Sequence, residues 1–175
     1  RAGACLALAP AAALAVPREE SMPSEPAFSI SLAEWSLHRA LEAGELAHLD
    51  LAKTARSLEI GAVEYVSTFF REEARDPAFL AEMRRRAAGE GVQSLLIMVD
   101  GEGALADADE AARAAAVQNH QRWIDAAAAL GCHSIRVNAA GEGGRDELAA
   151  RAAASLVELA GYAAPVGLNV IVENH

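Results

Sequence analysis

Glu173 and His175 stand two residues apart in the run Val170-Ile171-Val172-Glu173-Asn174-His175. A carboxylate in that place is a hard oxygen ligand for a divalent cation, and it can also take a proton from a carbon beside a carbonyl. The three branched apolar residues before it favour a buried strand, so the polar groups fall at the strand's C-terminal end. Alternation puts Ile171, Glu173 and His175 on one face, with Val170, Val172 and Asn174 on the other. The run Ser134–Asn138 repeats the pattern, with Ser134, Arg136 and Asn138 on one face and Ile135 and Val137 on the other. Glu64 lies inside a further apolar run, and Asp100 closes another. Trp35 and His38 follow the first run and supply an aromatic face and an imidazole, a pairing suited to sugar binding.

Each of these residues also has a plainer reading. Glu173 could form a structural ion pair with Arg136, and Glu64, whose inward carboxylate must be paired or hydrated, could use the same arginine. Asn138 suits a turn cap as well as a hydrogen bond to a sugar hydroxyl. His175 could be a strand terminus facing solvent, Trp35 a packing residue and His38 the opening of the next turn. His120 and His133 read as structural, one on a helix and one at a strand start. Asp107, Asp109 and Glu110 read as a helix start, where acidic residues oppose the helix dipole.

The elements that carry these groups alternate regularly. Apolar runs at 28–32, 62–66, 94–99, 134–138 and 169–173 predict strands, and amphipathic stretches at 50–58, 77–88, 107–130 and 145–163 predict helices. Gly61, Gly91, Gly131 and Gly167 each end a helix just before the next strand. Strands joined by helices lie parallel and are covered by helices. The first strand leads on without a G-x-G-x-x-G or G-x-x-x-x-G-K-[ST] phosphate loop, which argues against a doubly wound nucleotide binder. The expected fold is therefore α/β, a (β/α)8 TIM barrel present as roughly its first five strands. That fold gathers its polar groups on the C-terminal rim.

Charge and composition narrow the partners. The 175 residues carry a net charge of −10, which opposes binding to a phosphate backbone. The one basic run, Arg84-Arg85-Arg86, sits beside Glu82 and Glu90 and reads as a solvated helix face. Residues 1–15 have the alanine-rich apolar core and small-x-small ending of a secretory signal, so the chain is expected to be exported, with no stable membrane insertion once the signal is cleaved. Residues 16–27 read as a linker, and the folded unit is expected over 28–175. On this reading Cys132 is the one cysteine of the mature chain and forms no internal disulfide.

The stretches LAEWSLHRAL, GAVEYVSTFF, AAALGCHSIRVNAAG and VIVENH, in that order, resemble the sugar phosphate isomerase/epimerase family of xylose isomerase-like TIM barrels, which also includes the apurinic-site endonucleases. The resemblance covers residues 28–175. It implies that Glu173 binds a divalent metal (Mn, Mg, Co or Zn) and serves as acid/base in proton transfer through an enediolate. The other metal ligands of the family come from strands six to eight. It also implies a small sugar, sugar phosphate or cyclitol as substrate, with Trp35, His38, Glu64, Asn138 and His175 as the candidate substrate contacts. Two other functions compete: a non-catalytic carbohydrate-binding barrel of the cell envelope, and a phosphodiesterase like the endonucleases. The second fits poorly, because Glu64 and Asp100 stand where that chemistry wants histidines.

Overall fold

The structure, a computed structural model, describes residues 28–173. The leader-like stretch 1–15, the linker 16–27, Asn174 and His175 lie outside the described residues. Five parallel strands lie side by side in chain order: β1 (Leu32–Ala33), β2 (Ala62–Val66), β3 (Gln93–Met98), β4 (Ser134–Asn138) and β5 (Asn169–Glu173). Helices α1 (His38–Glu42) and α2 (Leu51–Ser57) join β1 to β2. Then α3 (Pro77–Gly89), α4 (Glu110–Leu130) and α5 (Arg145–Ala163) make the remaining crossovers.

Alternation along the strands divides the sheet into two faces. Val63, Tyr65, Ile97, Ile135 and Val137 point to the helices and are buried with Leu51, Leu80, Trp123, Ile124 and Leu159 in one core. The opposite face carries Glu64, Leu96, Met98, Arg136, Ile171 and Glu173, and these residues line one cavity. At β5, Ile171 and Val172 are exposed.

The helix starts are built by side chains. Asp76 accepts from the Ala78 N–H at 2.9 Å with Pro77 in the first turn, and Asp109 accepts from the Ala111 N–H at 2.8 Å. The long helix α4 thus begins three residues later than the acidic cluster suggests, because Asp107 instead accepts from the Asp109 N–H and forms the turn before the cap. In the arginine run, Arg85 and Arg86 both bond Glu82, Arg86 also reaches Asp50 at 2.9 Å, and Arg84 donates to the Ala129 carbonyl.

Two expectations are corrected. Strand β1 comes later and is shorter than the run 28–32 implies, and Phe28 and Ile30 are exposed. Leu32 is in register with Val63, which places residues 28–30 opposite the turn that precedes β2. Gly91, Gly131 and Gly167 take left-handed backbone, but in the first repeat that conformation falls to Glu59 (φ 61°) and Gly61 does not adopt it.

The loops that follow β3 and β4 are tied together tightly. The Ala106 N–H donates to the Ala140 carbonyl at 2.8 Å, and Arg151 Nε donates to the Ala106 carbonyl at 2.8 Å. A side chain at Gly141 would meet the Ala106 carbonyl carbon at 2.7 Å and its Cβ at 2.9 Å, so the two loops would have to part. Gly141→Ala is expected to cost about 1–3 kcal/mol by overpacking, read as a lower urea midpoint at unchanged slope.

Burial pushes the Cys132 thiol up to about 12. The reactive species is the thiolate, so iodoacetamide at about pH 8 should alkylate Cys132 in the folded chain more than about a hundredfold slower than in urea. Peptide mapping after timed quenching checks this at Cys132 separately from Cys5, and equal rates would mean that the site opens freely. Burial likewise holds the His120 imidazole below its ordinary value, and its Nδ1 meets the Ala116 carbonyl at 2.7 Å. His120 therefore packs within α4 as a core residue.

Candidate active site

The C-terminal ends of all five strands are joined by one path of hydrogen bonds. Glu34, just past β1, accepts from the Val66 N–H at the end of β2 at 2.8 Å. The Ser67 hydroxyl, next in the chain, accepts from the Asp100 N–H at 2.9 Å and donates to the Asp100 carbonyl. Asn138 Nδ2 at the end of β4 donates to Asp100 Oδ1 at 2.9 Å. Arg136 Nη1 donates to Asn138 Oδ1 at 3.1 Å and pairs with Glu173 Oε2 on β5 at 2.7 Å. It also lies 3.7 Å from Asp100 Oδ1. A guanidinium between two carboxylates, with an amide bridging one of them, fixes the geometry of all four groups.

Beside this path lies a cavity of about 730 Å³, lined by Trp35, Glu64, Asp100, Arg136, Ile171 and Glu173 among others. Its walls are mostly apolar, with a few convergent polar groups, as small-molecule sites are. Glu64 does not pair with Arg136; its Oε1 accepts from the Ser31 hydroxyl at 2.5 Å, because Arg136 is taken up by the β5 carboxylate. Trp35 stands at the edge with half its surface exposed, stacked on His38 at 4.8 Å between ring centroids and tilted against Phe69 at 5.9 Å.

Of the sequence-predicted site residues, Trp35, Glu64 and Glu173 line the cavity together. Asn138 stands behind it, bonded to Asp100 and Arg136. His38 backs the Trp35 ring, with its Nδ1 2.7 Å from the Trp35 carbonyl. His175 lies outside the described residues. Residues not singled out from the sequence are Glu34 and His48, which meet at 2.5 Å beneath the rim, and Glu102, whose two oxygens accept from Arg122 Nη2 at 2.6 Å each. Glu34 directly precedes Trp35 in the chain, and that adjacency is the one sign of it in the sequence.

A divalent cation needs several hard ligands. Among the described residues, no three His, Cys, Asp or Glu side chains come together to hold one. Glu173 supplies a single carboxylate, and Arg136 is bonded to it. The described part of the rim is therefore not by itself a metal site.

Residues 52–175 match the xylose isomerase-like TIM barrel family, and the chain belongs to it. No curated protein matches. Among solved structures, the chain is similar to a D-psicose 3-epimerase determined in the presence of D-fructose, with TM-score 0.66 and 18% identity over 83% of this chain and 54% of that one. It is also similar to the 3-keto-D-glucoside 4-epimerase YcjR from E. coli, with TM-score 0.59 and 17% identity over 71% of this chain and 49% of that one. A third is the IOLI protein with a bound zinc atom, with TM-score 0.65 and 13% identity over 83% and 51%. The chain spans about half the length of these structures, and its five parallel strands correspond to part of their barrel. Among the described residues, no helix is long and apolar enough to cross a membrane.

Proposed function

We propose that the chain belongs to a sugar isomerase or epimerase that moves a proton on a carbon beside a carbonyl, with Glu173 as acid/base. The observation that carries this reading is the Glu173 carboxylate itself. It opens into the cavity at the end of β5, beside a guanidinium at 2.7 Å and in the same chamber as an exposed tryptophan ring. Trp35 offers an apolar face to the sugar ring, and Glu64 and Asp100 accept from its hydroxyls. Asn138 holds Asp100 and Arg136 in place from behind the cavity. Arg136, held between Asp100 and Glu173, is placed to stabilise the negative charge that forms on the substrate oxygen as the proton leaves. His38 supports the ring of Trp35, and His175 is read as a further substrate contact.

Under the same reading Glu173 is one ligand of a divalent metal (Mn, Mg, Co or Zn), with its other ligands outside residues 28–173. The substrate class is a small sugar, sugar phosphate or cyclitol. The pattern of residues 1–15 supports export as the location of the protein. A second reading, a carbohydrate-binding barrel without turnover, is favoured by the way Arg136 neutralises Glu173.

The test uses protein expressed from the whole gene, incubated in heavy water with D-fructose and D-tagatose. Deuterium entering the sugar beside its carbonyl, with about one divalent metal per chain, is the expected result. No exchange with either sugar and no metal after metal-replete purification would overturn the isomerase and leave the binder.

A further inference from the structure

We propose that Glu34 and His48 form a buried positioning pair that sets the Trp35 edge of the cavity. The inference rests on reading that cavity as a sugar site. Glu34 is fully buried, and a buried carboxylate persists only where its oxygens are satisfied. One oxygen accepts from the Val66 N–H at 2.8 Å and the other meets His48 Nδ1 at 2.5 Å. With Glu34 accepting at both oxygens, the imidazole tautomer that fits the contact is the one with its hydrogen on Nδ1.

The His48 ring is itself held on several sides. It stacks on Phe70 at 4.6 Å and Phe79 at 6.0 Å between centroids, with Tyr65 tilted at 6.1 Å, and its side chain is 10% exposed. Among the described residues its Nε2 has no hydrogen-bond partner, so Glu34 is the one polar contact there that fixes the ring's rotation. The carboxylate thereby joins three segments: the end of β1, the end of β2 and the turn that opens α2. Trp35 is the next residue after this knot, at the start of the turn that carries the Trp35–His38 stack. The far side of the knot continues through Ser67 to Asp100 on the cavity wall. Neither residue lines the cavity, so the pair acts through its neighbours.

The test compares wild type with Glu34→Gln, His48→Asn and His48→Leu in protein from the whole gene. Of the two tryptophans in these 175 residues Trp123 is fully buried, so the part of the acrylamide quenching that a Trp35→Phe background removes reports on Trp35. Glu34→Gln and His48→Leu are expected to raise the quenching constant by about twofold, as the half-exposed ring comes free. They are also expected to weaken D-fructose binding. His48→Asn keeps a donor where Nδ1 stood and is expected to behave as wild type. The rise must vanish in a Trp35→Phe background. Folded Glu34→Gln or His48→Leu protein with wild-type quenching overturns the proposal, as does equal disturbance by Asn and Leu at position 48. If Glu34→Gln does not fold, the two His48 variants decide, since they leave the carboxylate in place. Wild type that ignores D-fructose while the quenching pattern holds removes the sugar reading and keeps the positioning pair.

Discussion

Glu173→Gln is expected to lower proton exchange on a keto-sugar by about 10²–10⁴-fold, the contribution of one positioned acid or base, while the melting temperature stays close to wild type. The amide keeps the shape of the side chain and one oxygen for Arg136, so the hydrogen bond survives and the charge does not. Stability should change little because the Glu173 side chain is 45% exposed, and solvent screens a pair at that position. A large loss of turnover with an unchanged fold would therefore locate the effect in the reaction. The assay is deuterium exchange per enzyme per second, set beside a thermal melt of the same sample. If the variant exchanges within tenfold of wild type, Glu173 is not the acid/base and its bond to Arg136 is structural.

The path from Glu34 to Glu173 explains why this result bears on the whole rim. Each strand end contributes one link, and each link is bonded to the next strand's loop or side chain. Arg136 lies within reach of both Asp100 and Glu173, so a change at one carboxylate alters the pull on the guanidinium from the other. Substitutions at Asp100 and Glu173 should accordingly be non-additive, as they are for residues within one network.

How far the sequence reveals this site depends on the range of the interactions involved. The faces of β4 and β5 are legible because a strand's period of two is local: Arg136 and Glu173 had to share a face once both runs were read as parallel strands. The ion pair between them could be named as one option for the same reason. The start of α3 at Pro77 is legible because a cap spans only two or three residues, whereas at α4 Asp107 and Asp109 both suit a cap and the pattern alone starts the helix three residues early. The limits of β1 are not legible, since Phe28 and Ile30 alternate with serines as strand residues do, and only the register with Val63 places them opposite the turn that precedes β2. The partner of Glu64 is illegible for a related reason, because Arg136 was available to two carboxylates and the choice rests on tertiary distance. Glu34 and His48 are fourteen positions apart with several turns between them, so no periodicity joins them. Burial alone marks them, and burial of a carboxylate is what sequence patterning assigns least well.

Trp123→Ala is expected to destabilise the fold by about 3–5 kcal/mol, the usual cost of deleting a large buried aromatic side chain. The position explains why the cost should fall in this range. Trp123 is fully buried on α4 and meets Phe70 edge-to-face at 5.3 Å and 78°, and the Arg122 guanidinium sits 5.6 Å from its ring. Phe70 in turn stacks on His48, so the cavity left by alanine would open directly behind the pair that holds the rim. Among the described residues the indole N–H has no partner, so the ring's packing and its contact with Arg122 set the effect. Trp123→Phe removes that buried donor and keeps most of the ring, so it should cost well under half as much. Urea unfolding of both variants checks this, with the midpoint falling far for alanine and little for phenylalanine at similar slopes. Equal small shifts would mean that the helix layer closes over the vacancy, and that the aromatic cluster does not brace the β1–β2 rim.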